Sequence, residues 1–512
     1  MPRDRVVIVG SGVAGLVSAF ALAARGLDVT LLERAASPGG KMRQIAIGSS
    51  RIDSGPTVFT MRWVFDELFA AAGRNFADHV LLRPLEILAR HAWDEHARLD
   101  LFADQERTID AIGDFAGAEE ADGYRAFCRD TNRIYEILEK PFLRASQPSM
   151  GGLIGADGLR GLIRLPQIKP FSSMWSALGR YFADPRLRQL FGRYATYCGS
   201  SPYLAPATLM LVAHVEREGV WSIDGGMQSL AKALADCASS FGATIRYGED
   251  VSEVLISGGR AAGVRLASGE RIAADAVIVN ADVGAVADGA FGPPVRRAAA
   301  AIPLRARSLS AMTWSAVAKP DGFPLHRHNV FFSSDYAAEF DDIFAHDRLP
   351  RGPTVYVCAQ DRDNHELAPT SPEKFLILVN APANGDRHVY DAAEVEQCAQ
   401  RTFGTLERCG LRIQPPADAM QVTTPADFNR MFPATGGALY GRSSHGWTAS
   451  FQRPGARTRI PGLYLTGGST HPGPGVPMAA LSGRSAAASL IADLTFHGSF
   501  RQTVMRGGMS TR

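Results

Sequence analysis

The run RVVIVGSGVAGLVSAFALAARGLDVTLLER, residues 5–34, constrains the fold more than any other part of the chain. Residues 5–9 are short, β-branched and continuously apolar, as a strand buried in a parallel sheet must be. Gly10-Ser11-Gly12-Val13-Ala14-Gly15 follows, then a segment with Leu16, Phe20 and Ala23 at helical spacing, then a second strand over 28–34 that carries Glu33. Each part has a mechanical role. Gly10 permits the tight turn, Gly12 lets backbone approach a pyrophosphate, and Gly15 lets helix and strand pack closely. The helix start offers unpaired N–H groups to phosphate, and Glu33 is placed to accept from a ribose diol. A strand, a glycine turn, a helix and an acid in this order predict a dinucleotide-binding α/β domain.

The same stretch, with Arg3 and Arg5 ahead of apolar residues, has the outline of a signal peptide. The functional spacing of the glycines argues against that reading. No run approaches the ~18 uninterrupted apolar residues of a membrane span. Formal charge is only +2 over 512 residues, which gives no reason to expect a nucleic-acid partner. The six cysteines, Cys128, Cys198, Cys237, Cys358, Cys398 and Cys409, show no CxxC spacing, so no metal site is expected and a reduced, cytoplasmic chain is.

Beyond Glu33 the loop continues as RAASPGGKMRQ, with Gly39-Gly40, and then RIDSGPTVFT, with a rigid turn at Asp53-Ser54-Gly55-Pro56-Thr57. This combination resembles the flavoprotein superfamily of amine oxidases, protoporphyrinogen oxidase and carotenoid desaturases. The resemblance implies FAD rather than NAD. It implies a Rossmann-like FAD-binding domain of the glutathione-reductase/amine-oxidase type with an inserted α+β substrate domain. It adds Arg34, Gly40, Lys41, Pro56, Thr57 and Val58 to the expected cofactor contacts.

Residues 221–282 predict a helix from Met227 and strands at 244–247, 251–257, 260–267 and 276–279, with hairpin turns at SGG and ASGE. In the resembling family Val251 bonds the adenine through its backbone, and the strand ending at Asn280 returns to the nucleotide. LYLTGGSTHPGPGVPMAALSGRSAA, residues 463–487, predicts a strand, a rigid loop and a helix over 479–494 rich in small residues. It lacks a GxGxxG and reads as the other half of the same site. Gly467 and Gly468 approach the pyrophosphate or ribitol, and Gly475, Val476, Pro477 and Met478 run along the flavin ring.

These residues together resemble the bacterial carotenoid desaturases related to phytoene desaturase, over nearly the whole chain. Phytoene desaturases usually carry Ile-Pro-Gly where this chain has Val476-Pro477-Met478. VPMAALSGR is closer to the hydroxyneurosporene and methoxyneurosporene branch. The resemblance implies C3–C4 desaturation of acyclic 1-hydroxycarotenoids in the spheroidene and spirilloxanthin routes, by hydride transfer to flavin N5. It leaves the electron acceptor open. A phytoene desaturase, an amine oxidase and a GDI-like prenyl-protein escort factor without flavin stand as alternatives.

Such chemistry needs orientation of a carbon more than a strong base. His471, in the glycine loop, and His445, in ALYGRSSHGW, are the polar candidates for the substrate hydroxyl or the departing proton. The FAD domain is expected from 1–75, 220–295 and 425–500, the substrate domain from 80–215 and 296–420, and a flexible tail over 501–512. Residues 158–182 mix Leu, Ile, Phe171 and Trp175 with Arg160, Arg164, Lys169 and Arg180 and hold no acid. That pattern suits an anionic membrane surface, on the cytoplasmic side of an inner or intracytoplasmic membrane, where an acyclic carotenoid could enter.

Overall fold

A computed structural model describes residues 4–147, 165–363 and 371–506. Its first sheet is parallel and five-stranded, in the order Leu463–Leu465, Ala276–Val279, Arg5–Val9, Asp28–Glu33, Thr244–Tyr247. Arg5–Val9 lies at the centre because Val6, Val7 and Ile8 are apolar on both faces and buried. The strands 251–257 and 271–273 flank Arg260–Leu266 in an antiparallel meander, as the turn residues predict.

The helix Val13–Ala23 covers one face of the first sheet and packs along the last helix, Val476–Arg506. Small residues make this close approach possible: a Cβ on Gly483 would stand 2.4 Å from the carbonyl oxygen of Ala14, and Ser18 Oγ donates to the Gly483 carbonyl at 3.0 Å. That last helix starts three residues before the expected 479, because proline is tolerated in a first helical turn. It also runs to Arg506, into the expected tail, since FRQTVMR contains no helix breaker. Residues 507–512 lie outside the described part.

The other large sheet has seven strands, in the order Met420–Thr423, Ser310–Ala318, Glu373–Ala381, Val355–Ala359, His328–Phe331, Ile87–Ala92, Arg98–Phe102. Neighbours are antiparallel except His328–Phe331 and Ile87–Ala92. Strand periodicity gives it two unlike faces. Met312, Trp314, Val355, Val357, Phe375 and Ile377 form one apolar core with Leu406 of the helix Ala392–Arg408. The opposite face carries Thr313, Ser315, Leu376, Leu378, Tyr356, Cys358, His328 and His91, and turns toward the dinucleotide-type sheet and the helices between 105 and 217.

Candidate active site

Between the two sheets lies a cavity of about 640 Å³, within the range of small-molecule and cofactor sites. Both glycine segments open onto it. Gly10, Gly12, Val13, Ala14, Glu33, Arg34, Gly40, Lys41, Pro56, Val251, Asn280, Gly467, Gly468, Gly475 and Val476 all line it. Two helix starts, at Gly12-Val13 and at Gly475-Val476, face it from opposite ends of the chain. Such starts favour a phosphate or a negatively charged ring edge. Lys41, Arg34 and Arg43 add cationic side chains.

The glycines are required by what surrounds them. At Gly10 φ is +94°, and a Cβ would lie 2.7 Å from the Asn280 carbonyl oxygen. At Gly15 a Cβ would lie 2.1 Å from the Gly10 carbonyl oxygen. The turn is therefore built on bare backbone, and the cradle it leaves fits a dinucleotide.

Glu33 lines the cavity but also braces the loop. Its Oε2 accepts from Ser11 N at 2.7 Å and Ser11 Oγ at 2.8 Å, and its Oε1 accepts from Ala35 N at 2.9 Å. Lys41 Nζ donates to the Leu439 carbonyl at 2.6 Å, and burial lowers its pKa, partly offset by Asp282. Arg453, absent from the sequence expectations, joins the halves of the site from behind. Its Nη1 donates to the Tyr440 and Gly468 carbonyls at 3.0 and 3.2 Å, and its Nη2 to the Arg442 carbonyl at 2.6 Å. Burial brings its pKa down to about 10.

Five expected cofactor contacts do not line the cavity. Gly15 lies in the first turn of the helix Val13–Ala23, as a packing residue. Thr57 turns to the second sheet, where its Oγ1 shares a 2.7 Å hydrogen bond with Tyr356 Oη. Val58 and Met478 pack against the apolar core, and Pro477 is buried in the first turn of the last helix. Thr313, Leu376 and Leu378 supply a wall that was not expected. The alternation in SAMTWSAVA is the signal that would have exposed Thr313.

Neither candidate histidine lines the cavity. His471 Nε2 donates to the Phe142 carbonyl at 2.8 Å, its ring meets Phe142 edge-on, and burial brings its pKa to about 4. His445 Nε2 accepts from Ser201 N at 3.0 Å beside Phe344, and burial brings its pKa to about 4. Both imidazoles tie loops together in the neutral form. Among the described residues no group of three His, Cys, Asp or Glu could hold a metal ion.

The basic stretch at 158–182 is also altered by the fold. Arg160 and Arg164 lie outside the described residues. Lys169 is engaged by Asp130 and Tyr181, and the Trp175 ring packs against that of Tyr203 at 4.7 Å, tilted by 40°. Phe171 remains 79% exposed, and its ring meets that of Trp447, 43% exposed, at 5.5 Å. Among the described residues no helix is long and apolar enough to cross a membrane.

The sequence pattern of the family described as flavin containing amine oxidoreductase matches residues 13–491. The chain is 56% identical to a hydroxyneurosporene desaturase of Rubrivivax gelatinosus, over 99% of this chain and 97% of that one. It is 28% identical to a 1-hydroxycarotenoid 3,4-desaturase of a Flavobacterium, over 94% of this chain and 97% of that one. An oxidoreductase structure from Methanosarcina mazei shares the fold with a TM-score of 0.60 at 15% identity, over 94% of this chain and 99% of that one.

Proposed function

The chain belongs to the flavin-containing amine oxidoreductase family, in its carotenoid desaturase branch, and from that premise we propose that it forms the C3–C4 double bond of acyclic 1-hydroxycarotenoids, with FAD as its flavin, at a membrane surface. The observation that carries this reading is the 56% identity, over nearly the full length of both chains, to a hydroxyneurosporene desaturase. Forming the bond removes two hydrogens from adjacent carbons, and the bound flavin supplies the hydride acceptor.

The chain's own residues provide the rest. Gly10, Gly12 and Gly40 would admit the pyrophosphate, and the helix start at Val13 would offer it N–H groups. Glu33, fixed by Ser11 and Ala35, would hold the ribose, and Val251 and its neighbours in the cavity would hold the adenine. The start of the last helix at Val476 would stabilise negative charge on the flavin ring. Leu376 and Leu378 keep water away from an apolar substrate chain and help hold its carbons in one orientation. Positive charge left on a carbon next to a conjugated chain spreads along that chain, so a weak base or water suffices for the proton.

The exposed rings of Phe171 and Trp447 meet, and the exposed Leu204 is tied beside Trp447 through Gly446 N, which donates to its carbonyl. Such a patch on a protein whose substrate dissolves in lipid supports peripheral docking on a membrane surface.

The test is incubation of the flavin-loaded protein with hydroxyneurosporene, and separately with phytoene, in liposomes. The proposal expects a product from hydroxyneurosporene with two hydrogens fewer and a longer-wavelength spectrum, and no comparable product from phytoene. Desaturation of phytoene alone would overturn it.

A further inference from the structure

The inner face of the seven-stranded sheet is polar in an otherwise apolar interior. Register places Thr313, Leu378, Tyr356, Val330 and His91 in one row across that face, with Leu376, Cys358 and His328 in the next. Thr313, Leu376 and Leu378 line the cofactor cavity. The same face therefore leads from the cofactor to Tyr356, His328 and His91.

Across from it lies a buried ion pair with its phenols. Arg193 Nη1 donates to Tyr197 Oη at 2.8 Å, and Tyr197 Oη donates to Glu216 Oε1 at 2.9 Å. Tyr194 Oη also donates to Glu216. Arg193 and Glu216 side chains are only 7% and 4% exposed, and Nη2 stays 3.8 Å from Glu216, beyond hydrogen-bond reach. After burial itself, Arg193 depresses the basicity of His91, and Arg327 followed by Arg193 that of His328. From the cavity side, Tyr356 Oη joins Thr57 Oγ1 to His328 Nδ1, with 2.7 Å to each.

This cluster holds unmatched donors and acceptors. Arg193 Nε and Nη2, His91 Nε2, His328 Nε2 and Tyr336 Oη are all buried without a hydrogen-bond partner. A buried polar group without a partner costs roughly 1–3 kcal/mol, and native structures hold few of them. Five in one region point to a ligand that supplies the missing bonds. Glu216 already balances the charge of Arg193, so an anion gains little there. A neutral alcohol fits: its oxygen accepts from a guanidinium N–H, and its hydrogen is donated to an imidazole nitrogen.

We infer that Arg193, His328 and Tyr356 form the pocket that binds the tertiary hydroxyl of the carotenoid and so select 1-hydroxylated substrates. The inference rests on the proposed 1-hydroxycarotenoid reaction. In such a substrate the hydroxyl-bearing carbon is separated by one carbon from the new double bond. Holding the hydroxyl would thus fix the reacting carbons, and Thr57, next to cavity-lining Pro56, connects the pocket to the cofactor site. These are specificity residues. The chemical step does not use their protons.

The experiment compares kcat/KM for hydroxyneurosporene and for neurosporene, its counterpart without the hydroxyl, in the parent, Tyr356→Phe and Arg193→Lys proteins. The parent should favour the hydroxylated substrate by a factor of 100 or more (sites built around a hydroxyl reach about 10⁴). Each variant should lose about ten-fold or more of that preference, through the hydroxylated substrate alone, with flavin content unchanged. Tyr356→Phe removes a single oxygen and keeps the test valid should Arg193→Lys fold poorly. Flavin-loaded variants that keep the parent's preference would overturn the hydroxyl pocket while leaving the proposed reaction standing. A parent that desaturates neither hydroxyneurosporene nor neurosporene would overturn that reaction, and the pocket with it.

Discussion

Asn280 Nδ2 donates to the carbonyl oxygen of Gly10 at 3.2 Å, across 270 residues of chain. Asn280 stands at the centre of the glycine turn. A Cβ at Gly12 would come within 2.8 Å of its Nδ2, one at Gly15 within 2.9 Å of the same atom, and one at Gly467 within 3.0 Å of its Oδ1. Both ends of the chain therefore close on one side chain.

That arrangement ranks the glycines. The obstacle at Gly12 is the end of a side chain, which can shift, whereas the obstacle at Gly15 is the Gly10 backbone at 2.1 Å. Gly15→Ala should lose bound flavin more completely than Gly12→Ala. Flavin absorbance per mole of purified protein reads this directly. A fully yellow Gly15→Ala protein would contradict the packing described.

Glu33→Ala removes the acceptor for Ser11 and Ala35 as well as the acid facing the cavity. Hydrogen bonds to a charged group contribute roughly 1.5–3 kcal/mol each, so flavin affinity should fall ten-fold or more. Titration of the apoprotein with FAD measures it, and unchanged affinity would remove Glu33 from the binding account.

Gly483→Ala pushes two helices apart, because the new methyl would press on the Ala14 carbonyl at 2.4 Å. Overpacking of this kind costs roughly 1–3 kcal/mol. Denaturant unfolding should show that loss. A variant as stable as the parent would mean that the helices tolerate a wider spacing.

Burial keeps His445 and His471 at about 4 and His328 at about 3, all below the ordinary histidine value. The unfolded chain takes up protons on these groups first as pH falls below about 6.5, so it is favoured increasingly from there down toward about 4. Stability from this source is whole above pH 7. Thermal unfolding at pH 5.5 should occur at a lower temperature than at pH 7.5, and His471→Asn should narrow the gap. Equal transition temperatures at the two pH values would contradict the burial argument.

Phe171→Ser with Trp447→Ser removes the exposed aromatic pair. Each large apolar side chain contributes roughly 1.5–3 kcal/mol when fully buried in lipid, so liposome binding should fall about ten-fold or more. Undiminished sedimentation with vesicles would place the docking surface elsewhere.

The dinucleotide half of the molecule was legible because its signals are local. An apolar strand, GSGVAG and an apolar helix follow one another within 19 residues, Arg5 to Ala23, and each turn in 251–273 is written in its own glycines. The far end is legible for the same reason, although its helix takes in Val476, Pro477 and Met478, expected in the loop, and continues to Arg506, into the expected tail. The polar inner sheet face was not legible. His91, Arg193, His328 and Tyr356 are each unremarked in their own segments, and only strand register and helix packing bring them together. Lys169 looked free because Asp130 lies in another helix.

The most direct test is anaerobic addition of one equivalent of hydroxyneurosporene to the flavin-loaded protein. The account predicts bleaching of the oxidised-flavin absorbance together with one equivalent of a carotenoid product that has two hydrogens fewer. A flavin that stays oxidised with hydroxyneurosporene, yet bleaches on addition of phytoene or of an amine, would contradict it.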